Sequence, residues 1–259
     1  MAAVYEERDG KLYATELSRG PWDPGAQHGG APAAVLMRAF EGVEGSLPIA
    51  RVTYELLRPV PLGELSVSVS VLRPGRRVQL LEGVLVDPAG VEVVRARALR
   101  VACAEVSGGT RDVLEAGPDR GRPGDFRQSE LKLFPVDAME IRFTEGSFLT
   151  PGPAIAWFRL RVPLVAGEAP TGRQRLAAAA DFPNGIASEL GWEEWVFINP
   201  DLTLIVEREP IGEWVALDAR MRVAPGSVGV AEAVLYDVQG RVGRSVQTLY
   251  IAARSSAPG

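Results

Sequence analysis

A valine-rich alternation of apolar and polar residues occurs twice in this 259-residue chain, and the two occurrences can be overlaid. Two sets of matched residues anchor the overlay, the first at an offset of 149 and the second at an offset of 150: Pro61, Gly63 and Glu64 with Pro210, Gly212 and Glu213, then Asp87 and Gly90 with Asp237 and Gly240. Alternation with a period of two indicates strands with one buried face. A period this long exceeds any solenoid unit, so it indicates a duplicated domain.

Each copy is predicted to contain a short hairpin, one helix and a four-stranded antiparallel meander. The meander strands are predicted over 50–58, 64–72, 77–86 and 91–102, and over 197–208, 213–223, 228–236 and 241–252. The hairpins are predicted over 4–17, turning at 9–10, and over 139–163, turning at 150–153. The helices are predicted over 31–41 and within 173–190, where 186–190 is an alternative for the matching helix. Because helices this apolar need burial on most sides, we expect an α+β fold in which each antiparallel sheet wraps around a central helix.

The segment between the copies is rich in glycine and proline and poor in large apolar residues. Such a composition is typical of a linker. We therefore predict an N-terminal domain over 1–104, a linker over 105–130 and a C-terminal domain over 131–259.

Charge and cysteine content narrow the class of protein. The 28 basic and 33 acidic residues give a net charge of −5, which is not the positive field that nucleic-acid binding needs. The single Cys103 cannot form an internal disulfide, which is typical of a reducing compartment. We predict no membrane span, since no apolar run reaches about 18 residues, and no signal peptide. A cytoplasmic protein is expected.

The one histidine, His28, excludes several kinds of catalytic site. A zinc site built from Cys and His needs more ligands than one of each. The sequence also lacks a nucleophile elbow, a dinucleotide fingerprint and a phosphate loop. We therefore expect chemistry based on carboxylates, amides, hydroxyls and backbone groups, with no metal and no cofactor.

Five short blocks in order resemble the double-hotdog acyl-CoA thioesterases, the group related to thioesterase II. They are Trp22 with Gln27-His-Gly-Gly30, Ala180-Asp-Phe-Pro-Asn-Gly185, Asn199-Pro-Asp-Leu-Thr203, Arg208-Glu-Pro-Ile-Gly-Glu-Trp214 and Gly243-Arg-Ser-Val-Gln247. The resemblance implies two tandem hotdog folds whose sheets join into one continuous sheet. It also implies hydrolysis of acyl-CoA, with coenzyme A entering only as part of the substrate.

The resemblance implies a site of an Asp, a hydroxyl residue and a Gln that hold and activate water. Asp181 and Gln247 match the first and third positions. The hydroxyl position is occupied by Asn199, which is a departure from the family pattern, and Thr203 two residues beyond Asp201 is the alternative.

Each of these residues also has an alternative structural role. Asp181 before Phe182-Pro183 can be a general base or a helix N-cap. Gln247 can orient water or be a solvent-facing strand residue. Its counterpart at an offset of 150 is Arg97, so the two copies differ at this position, which predicts one site per chain. Asn199 can bind the same water or close the turn before Pro200.

The block before the first helix is predicted to contact substrate. The backbone N–H groups of Gly29 and Gly30 at a helix N-terminus can bind a thioester oxygen as negative charge develops. His28 then shapes the pocket, or else it is a surface or turn residue.

Two basic features have structural or binding interpretations. Arg208 and the pair Glu213-Trp214 are predicted to form ion pairs and packing contacts at a strand connection. Arg73, Arg76 and Arg77 form a cluster that is either a solvated loop or a contact for the phosphates of coenzyme A.

Together these features predict an acyl-CoA thioesterase with catalytic Asp181, Gln247 and Asn199, and with substrate contacts at His28, Gly29, Gly30 and Thr203. The alternatives are an acyl-CoA-binding protein without hydrolysis and a hotdog hydratase or dehydratase. The latter usually depend on a catalytic histidine, which the lone His28 disfavours. We expect a homodimer or a larger homo-oligomer.

Overall fold

The computed structural model describes residues 2–104, 112–124, 130–226 and 228–254. The elements of the first half are β1 (Tyr5–Arg8), β2 (Lys11–Ala14), α1 (Gly30–Glu41), β3 (Ile49–Leu56), β4 (Gly63–Arg73), β5 (Val78–Val86) and β6 (Glu92–Val101). Those of the second half are β7 (Arg122–Pro123), β8 (Met139–Ser147), β9 (Thr150–Leu160), α2 (Gly172–Ala179), α3 (Pro183–Ile186), β10 (Trp195–Ile198), β11 (Asp201–Val206), β12 (Val215–Val223), β13 (Gly229–Asp237) and β14 (Gly240–Ala253). No helix within these ranges is both long enough and apolar enough to cross a bilayer.

The strands form one sheet in the order β1-β2-β4-β5-β6-β3-β11-β14-β13-β12-β9-β8-β7, and β10 pairs with β14 beside this path. The two halves meet where β3 and β11 pair antiparallel, with Thr53 opposite Thr203. These threonines lie 150 positions apart, the offset of the repeat, so an approximate two-fold axis passes between them. The implied pair of folds with one continuous sheet is confirmed.

The prediction of a plain meander in each copy is wrong in one respect. β4, β5 and β6 are neighbours, but β3 pairs with β6 instead of β4, and β2 occupies the place beside β4. The second half repeats this order, with β11 beside β14 and β9 beside β12. Alternation indicates which residues of a strand face the core, whereas the order of strands depends on how the intervening helix carries the chain across the sheet.

The central helix α1 is enclosed by the sheet of its own half and by α2. Nine of its twelve residues are buried, so only a narrow strip reaches solvent. Phe40 is fully buried and lies over Gly83 of β5, where a Cβ atom would come within 2.8 Å of the phenyl ring. Burial of a side chain of this size contributes about 1.5–3 kcal/mol. The predicted helix over 31–41 is confirmed.

The second helix differs from its prediction. α2 ends at Ala179, and only the single turn α3 follows. Pro183 has no N–H and its ring clashes with the preceding turn, so α2 cannot continue through it. Residues 187–190 are not helical, so the alternative matching helix over 186–190 is wrong.

Two strand predictions also need correction. The second hairpin turns at 148–149, since Ser147 pairs with Thr150, and the predicted turn over 150–153 belongs to β9. The predicted strand over 197–208 is two strands, β10 and β11, which both pair with β14. The break lies at Asn199-Pro200, because proline has no donor for the ladder.

The described part of the predicted linker packs on the outer face of the second half. The indole Nε1 of Trp157 donates to the carbonyl of Ala116 at 3.0 Å, and the hydroxyl of Tyr236 donates to Asp112 at 3.2 Å. β7 then pairs with β8. Residues 105–111 and 125–129 of the predicted linker, as well as parts of the terminal ranges, lie outside the described residues.

The structural role predicted for Arg208 is confirmed. Its guanidinium donates two hydrogen bonds of 2.6 Å to the buried carboxylate of Asp237. Asp237 also accepts from the backbone N–H groups of Ile211 and Gln239. The guanidinium groups of Arg142 and Arg159 both pack on Trp214, at 5.0 Å and 4.8 Å from its ring centre.

We predict that Asp237→Ala lowers the free energy of unfolding by about 2–4 kcal/mol, because two backbone N–H groups lose their acceptor and Arg208 loses two hydrogen bonds. The loss stays below that of a fully buried ion pair because the side chain of Arg208 is 34% exposed and keeps its bonds to backbone carbonyls. Urea denaturation measures this loss. The matched control is Glu207→Ala, which removes the exposed partner of Arg241 and is expected to cost less than about 1 kcal/mol. Similar losses in both variants would contradict the structural role of the ion pair between Arg208 and Asp237.

Candidate active site

A cavity of about 360 Å³ opens at the C-terminal end of β3 and reaches inward to the ends of the two central helices. Aromatic, proline and aliphatic side chains form most of its wall. The polar groups that converge on it include His28, Asp181, Asn184 and Asn199. An apolar cavity with a few converging polar groups is the usual form of a small-molecule site.

Asp181 lies where the two central helices meet. It follows the C-terminal end of α2 and faces the N-terminal end of α1, where a Cβ atom on Gly29 would come within 2.7 Å of its Oδ2. Its side chain does not cap α3, whose N-cap is Phe182 without a side-chain hydrogen bond. The N-cap alternative for Asp181 is therefore wrong, because the carboxylate turns away from that short helix toward α1.

Two amide side chains hold one oxygen of this carboxylate. Nδ2 of Asn199 donates to Oδ1 of Asp181 at 2.8 Å, and Nε2 of Gln247 donates to the same oxygen at 2.9 Å. Gln247 also donates to the carbonyl of Asp181 at 3.1 Å and accepts from the N–H of Asn184 at 3.3 Å. The structure thus brings together the three residues predicted to be catalytic.

The strand break explains how Asn199 reaches Asp181. Asn199 lies between β10 and β11, where the chain leaves the ladder along β14, and its amide also bonds the carbonyl of Asp201 at 3.0 Å. Across the gap, the carboxylate of Asp201 accepts the N–H of Thr248 at 2.7 Å. The role of Asn199 in closing its own turn is therefore compatible with its contact to Asp181.

Gln247 is fully buried on the inner face of β14, so the solvent-facing alternative is wrong. Its counterpart in the first half is also corrected. Thr53 pairs with Arg97, and its symmetry mate Thr203 pairs with Val246, so Arg97 corresponds to Val246 and Ala98 to Gln247. Arg97 points outward to Glu82. An alanine cannot replace the amide, so the copies still differ at this position.

Burial raises the pKa of Asp181 to about 7, although hydrogen bonds from Asn199, Gln247 and the N–H of Gly30 oppose the rise. The C-terminal end of α2 also disfavours a negative charge nearby, whereas the N-terminal end of α1 favours it. A carboxylate with a pKa near neutrality can accept a proton from water far better than an ordinary carboxylate.

Only 12% of the His28 side chain is exposed, so its surface alternative is wrong. Its ring packs against Phe134 and Phe182, with ring centres 5.3 Å and 4.4 Å away. Burial lowers the pKa of His28 to about 3, and the imidazole is therefore neutral near pH 7. Its Nδ1 accepts the N–H of Gly30 at 3.1 Å and lies 3.2 Å from Oδ2 of Asp181.

The two carboxylate oxygens therefore have different surroundings. Oδ1 is held by two amides, whereas Oδ2 faces Nδ1 of His28 and the backbone of Gly29. Gln247 uses its amide on protein groups, so it orients Asp181 and has no N–H left for a water. Oδ2 is therefore the carboxylate oxygen without a side-chain amide donor.

The structure does not bring Thr203 to this cluster. Thr203 pairs with Val246, whose side chain is 37% exposed, so both point to the outer face of the sheet. Gln247, one residue further along β14, points to the inner face. Because successive strand residues alternate between faces, Thr203 cannot reach Asp181, and the expected substrate contact at this residue is corrected.

Three contributors to the cavity were missed by sequence reasoning. Asn184 lines it, and within the described residues no donor reaches its Oδ1 atom. Arg58 lines the mouth of the cavity and has no ion-pair partner among the residues that the structure describes. Trp192 forms part of the wall and stacks on Trp22 at 4.9 Å. Asn184 stands in one of the five blocks, whereas nothing in the local sequence of Arg58 or Trp192 indicates a site.

The basic cluster Arg73, Arg76 and Arg77 does not line the cavity. It lies at the β4–β5 connection, where the carbonyl of Arg77 bonds Ala102 near the start of β3. The cavity mouth lies at the other end of that strand. The solvated-loop interpretation therefore fits this cluster. Among the described residues, no group of three His, Cys, Asp or Glu side chains is placed to hold a metal ion.

Comparison with protein-family models gives two adjacent matches. Residues 18–101 match the N-terminal domain of acyl-CoA thioesterases, and residues 112–251 match the C-terminal domain of the same family. No curated protein sequence matches the chain.

Several solved structures share the fold at low sequence identity. A candidate thioesterase II from Thermobifida fusca superposes with a TM-score of 0.76 at 18% identity, over 95% of this chain and 94% of its own. A hot dog protein from Alicyclobacillus acidocaldarius gives 0.74 at 14% identity, over 98% and 96%. An acyl-CoA thioesterase II from Mycobacterium marinum gives 0.66 at 16% identity, over 96% and 95%. At these identities the likeness establishes the hotdog fold.

Proposed function

The chain belongs to the acyl-CoA thioesterase family, and we propose that it hydrolyses the thioester of an acyl-CoA to the free acid and CoA. The observation that carries this proposal is the buried carboxylate of Asp181. It lines an apolar cavity, has a pKa raised to about 7 and has one oxygen, Oδ2, that accepts from neither side-chain amide.

In the proposed reaction, Oδ2 of Asp181 takes a proton from a water as the water oxygen attacks the thioester carbon. The second hydrogen of the water points to Oδ1 of Asn184, the acceptor without a donor in the described structure. Asn199 and Gln247 keep Oδ1 of Asp181 in place, so that Oδ2 faces the cavity. They are positioning residues in this proposal, which differs from the prediction that they hold the water directly.

The attack converts the carbonyl into an oxyanion, which needs a hydrogen-bond donor. The N–H of Gly29 is suited to this, because Gly29 lines the cavity and its N–H has no acceptor within the described residues. The N–H of Gly30 is already used by His28 and Asp181. When the C–S bond breaks, the CoA thiolate takes the proton from Asp181 and the carboxylate is restored.

The pH dependence of kcat/KM follows from the raised pKa of Asp181. The base form is the ionised one, so the rate is expected to rise with pH and to reach half its plateau near pH 7. An ordinary aspartate, with a pKa of about 3.9, would give a flat profile in this range. Initial rates measured from about pH 5 to 9 test this expectation. If kcat/KM does not change over the pH range in which the enzyme is folded, the role of Asp181 as a base is contradicted.

Release of free thiol from a panel of acyl-CoAs tests the proposed function itself. Steady release of CoA with equal amounts of free acid is the expected result. Hydration of an enoyl-CoA without hydrolysis would instead favour a hydratase, and binding without turnover would favour an acyl-CoA-binding protein. The low pKa of His28 disfavours the hydratase, since a neutral buried imidazole with a pKa of about 3 is a weak base.

A further inference from the structure

A second cavity of about 380 Å³ adjoins the first. Three residues line both cavities, Phe148, Gly185 and Trp192, so they form the partition between them. We define these three residues as the partition wall. The first cavity contains Asp181, and the second contains none of the groups around it.

The partition wall is held in place from both halves of the chain. Trp192 stacks on Trp22 of the first half at 4.9 Å between ring centres and meets the edge of buried Phe197 at 4.7 Å. Phe148 packs edge to face on Phe143 at 5.0 Å. Aromatic pairs in these geometries contribute about 0.5–1.5 kcal/mol beyond the area they bury, so the rings have a strong preference for their present positions.

The charges around the two cavities indicate which end receives the nucleotide part of CoA. Arg58 lies at the mouth of the first cavity, which also has one exposed carboxylate, Asp23, and Arg58 has no ion-pair partner among the described residues. The second cavity has no basic residue in its lining. Glu193 and Glu194 line the second cavity and are exposed. Phosphates are attracted to a guanidinium and repelled by carboxylates, so the nucleotide lies on the Arg58 side. The acyl group then points inward, toward the partition wall.

The volume of the first cavity is at the small end of the range of about 300–1,000 Å³ that ligand pockets span. We infer that Trp192, together with Phe148, closes the acyl end of this cavity and restricts the substrate to compact acyl groups, such as short, branched or aromatic ones. This inference rests on the proposed thioesterase function. A long unbranched chain fits only when the wall is opened and the two cavities join.

Binding of S-alkyl-CoA thioethers tests the wall without any hydrolysis, since they have no thioester carbonyl. By calorimetry, the affinity of the wild type is expected to rise about fourfold per methylene from the ethyl thioether, the fold-change for a buried CH₂, and then to stop rising before dodecyl. Trp192→Ala is expected to move this stop to longer chains and to improve dodecyl binding by about tenfold or more.

Two further variants sharpen the test. Gly185→Ala adds one methyl 3.6 Å from Cζ2 of Trp192, an ordinary contact distance, and is expected to move the stop about one methylene shorter. This variant decides the matter if Trp192→Ala does not fold. Trp195→Ala is the matched control, because Trp195 belongs to the same aromatic cluster but lines neither cavity. Its chain-length profile is expected to equal that of the wild type.

A wild-type affinity that still rises at dodecyl, no binding of any thioether, or a stop unchanged in both the Trp192 and Gly185 variants would overturn the inference. Failure of the proposed function has a different signature. In that case the thioether profile shows its stop as expected, but the thioesters of the same chain lengths release no CoA.

Discussion

Asp181→Asn is expected to lower kcat by about two orders of magnitude or more, because general-base catalysis typically supplies a factor of this size. The asparagine keeps the shape of the site. Its Oδ1 can still accept from Asn199 and Gln247, and its Nδ2 takes the place of the present Oδ2, which lies 3.2 Å from Nδ1 of His28. Steady-state CoA release, with folding checked by circular dichroism, measures the effect.

Gln247→Ala is expected to lower kcat as well, because Oδ1 of Asp181 loses one of its two amide donors. The double variant is expected to be barely slower than Asp181→Asn alone, since residues that act as one unit are not additive. Independent, multiplying losses would indicate that Gln247 acts on the substrate by itself. Full activity in a well-folded Asp181→Asn variant would refute the catalytic assignment.

A comparison of the stability of the wild type with that of Asp181→Asn distinguishes loss of the catalytic base from loss of the fold. The folded-state pKa of Asp181 is raised, so its contribution to wild-type stability is fully present below about pH 4 and is lost as pH rises through about 7. Asp181→Asn has no carboxyl to ionise there. It is therefore expected to be at least as stable as the wild type at about pH 8.

Gly29→Ala is expected to lower kcat/KM by about 100-fold. Its Cβ would lie 2.7 Å from Oδ2 and 3.0 Å from Cγ of Asp181, so the carboxyl must move away from the amides that hold it. A misplacement of about 1 Å in a catalytic group can cost this much. The methyl would also occupy the space between Asp181 and the N–H proposed to receive the oxyanion.

The matched control for this variant lies at the other end of the same helix. Gly42 is the C-cap of α1, has an ordinary φ of −69° and leaves 3.5 Å between a new Cβ and the nearest carbonyl oxygen. Gly42→Ala is expected to keep activity within about twofold, because it leaves the catalytic geometry intact. Equal activity in both variants, each shown to be folded, would contradict the requirement for close approach at Gly29.

Several features could be predicted from sequence because their physical cause is local. The alternation in β4 and β14, the turn at Asp9-Gly10 and the apolar surface of α1 all depend on residues a few positions apart. The repeat then predicts two such units. Asp181 is indicated by its block alone, since the acyl-CoA thioesterase resemblance identifies the residue without any knowledge of its partners.

Other features depend on contacts between distant parts of the chain. The place of β3 beside β6 follows from how α1 crosses the sheet. The alternation of apolar and polar residues within a strand does not indicate the order of the strands. The face of the sheet on which Thr203 lies depends on the register of β11. A shift of one residue moves a side chain to the opposite face, so a sequence alignment cannot decide which face Thr203 occupies. The wall of Trp192 and Phe148 exists only because two loops meet, and neither loop has a periodic pattern.

A single turnover in oxygen-18 water, with enzyme in excess over acyl-CoA, decides whether Asp181 activates water or attacks the substrate. If Asp181 acts as a base toward water, the released acid contains one oxygen-18 atom and the peptide that contains Asp181 contains none. If Asp181 instead attacks the thioester itself, water can open the resulting anhydride at the aspartyl carbon. Unlabelled acid together with oxygen-18 in Asp181 would contradict the account.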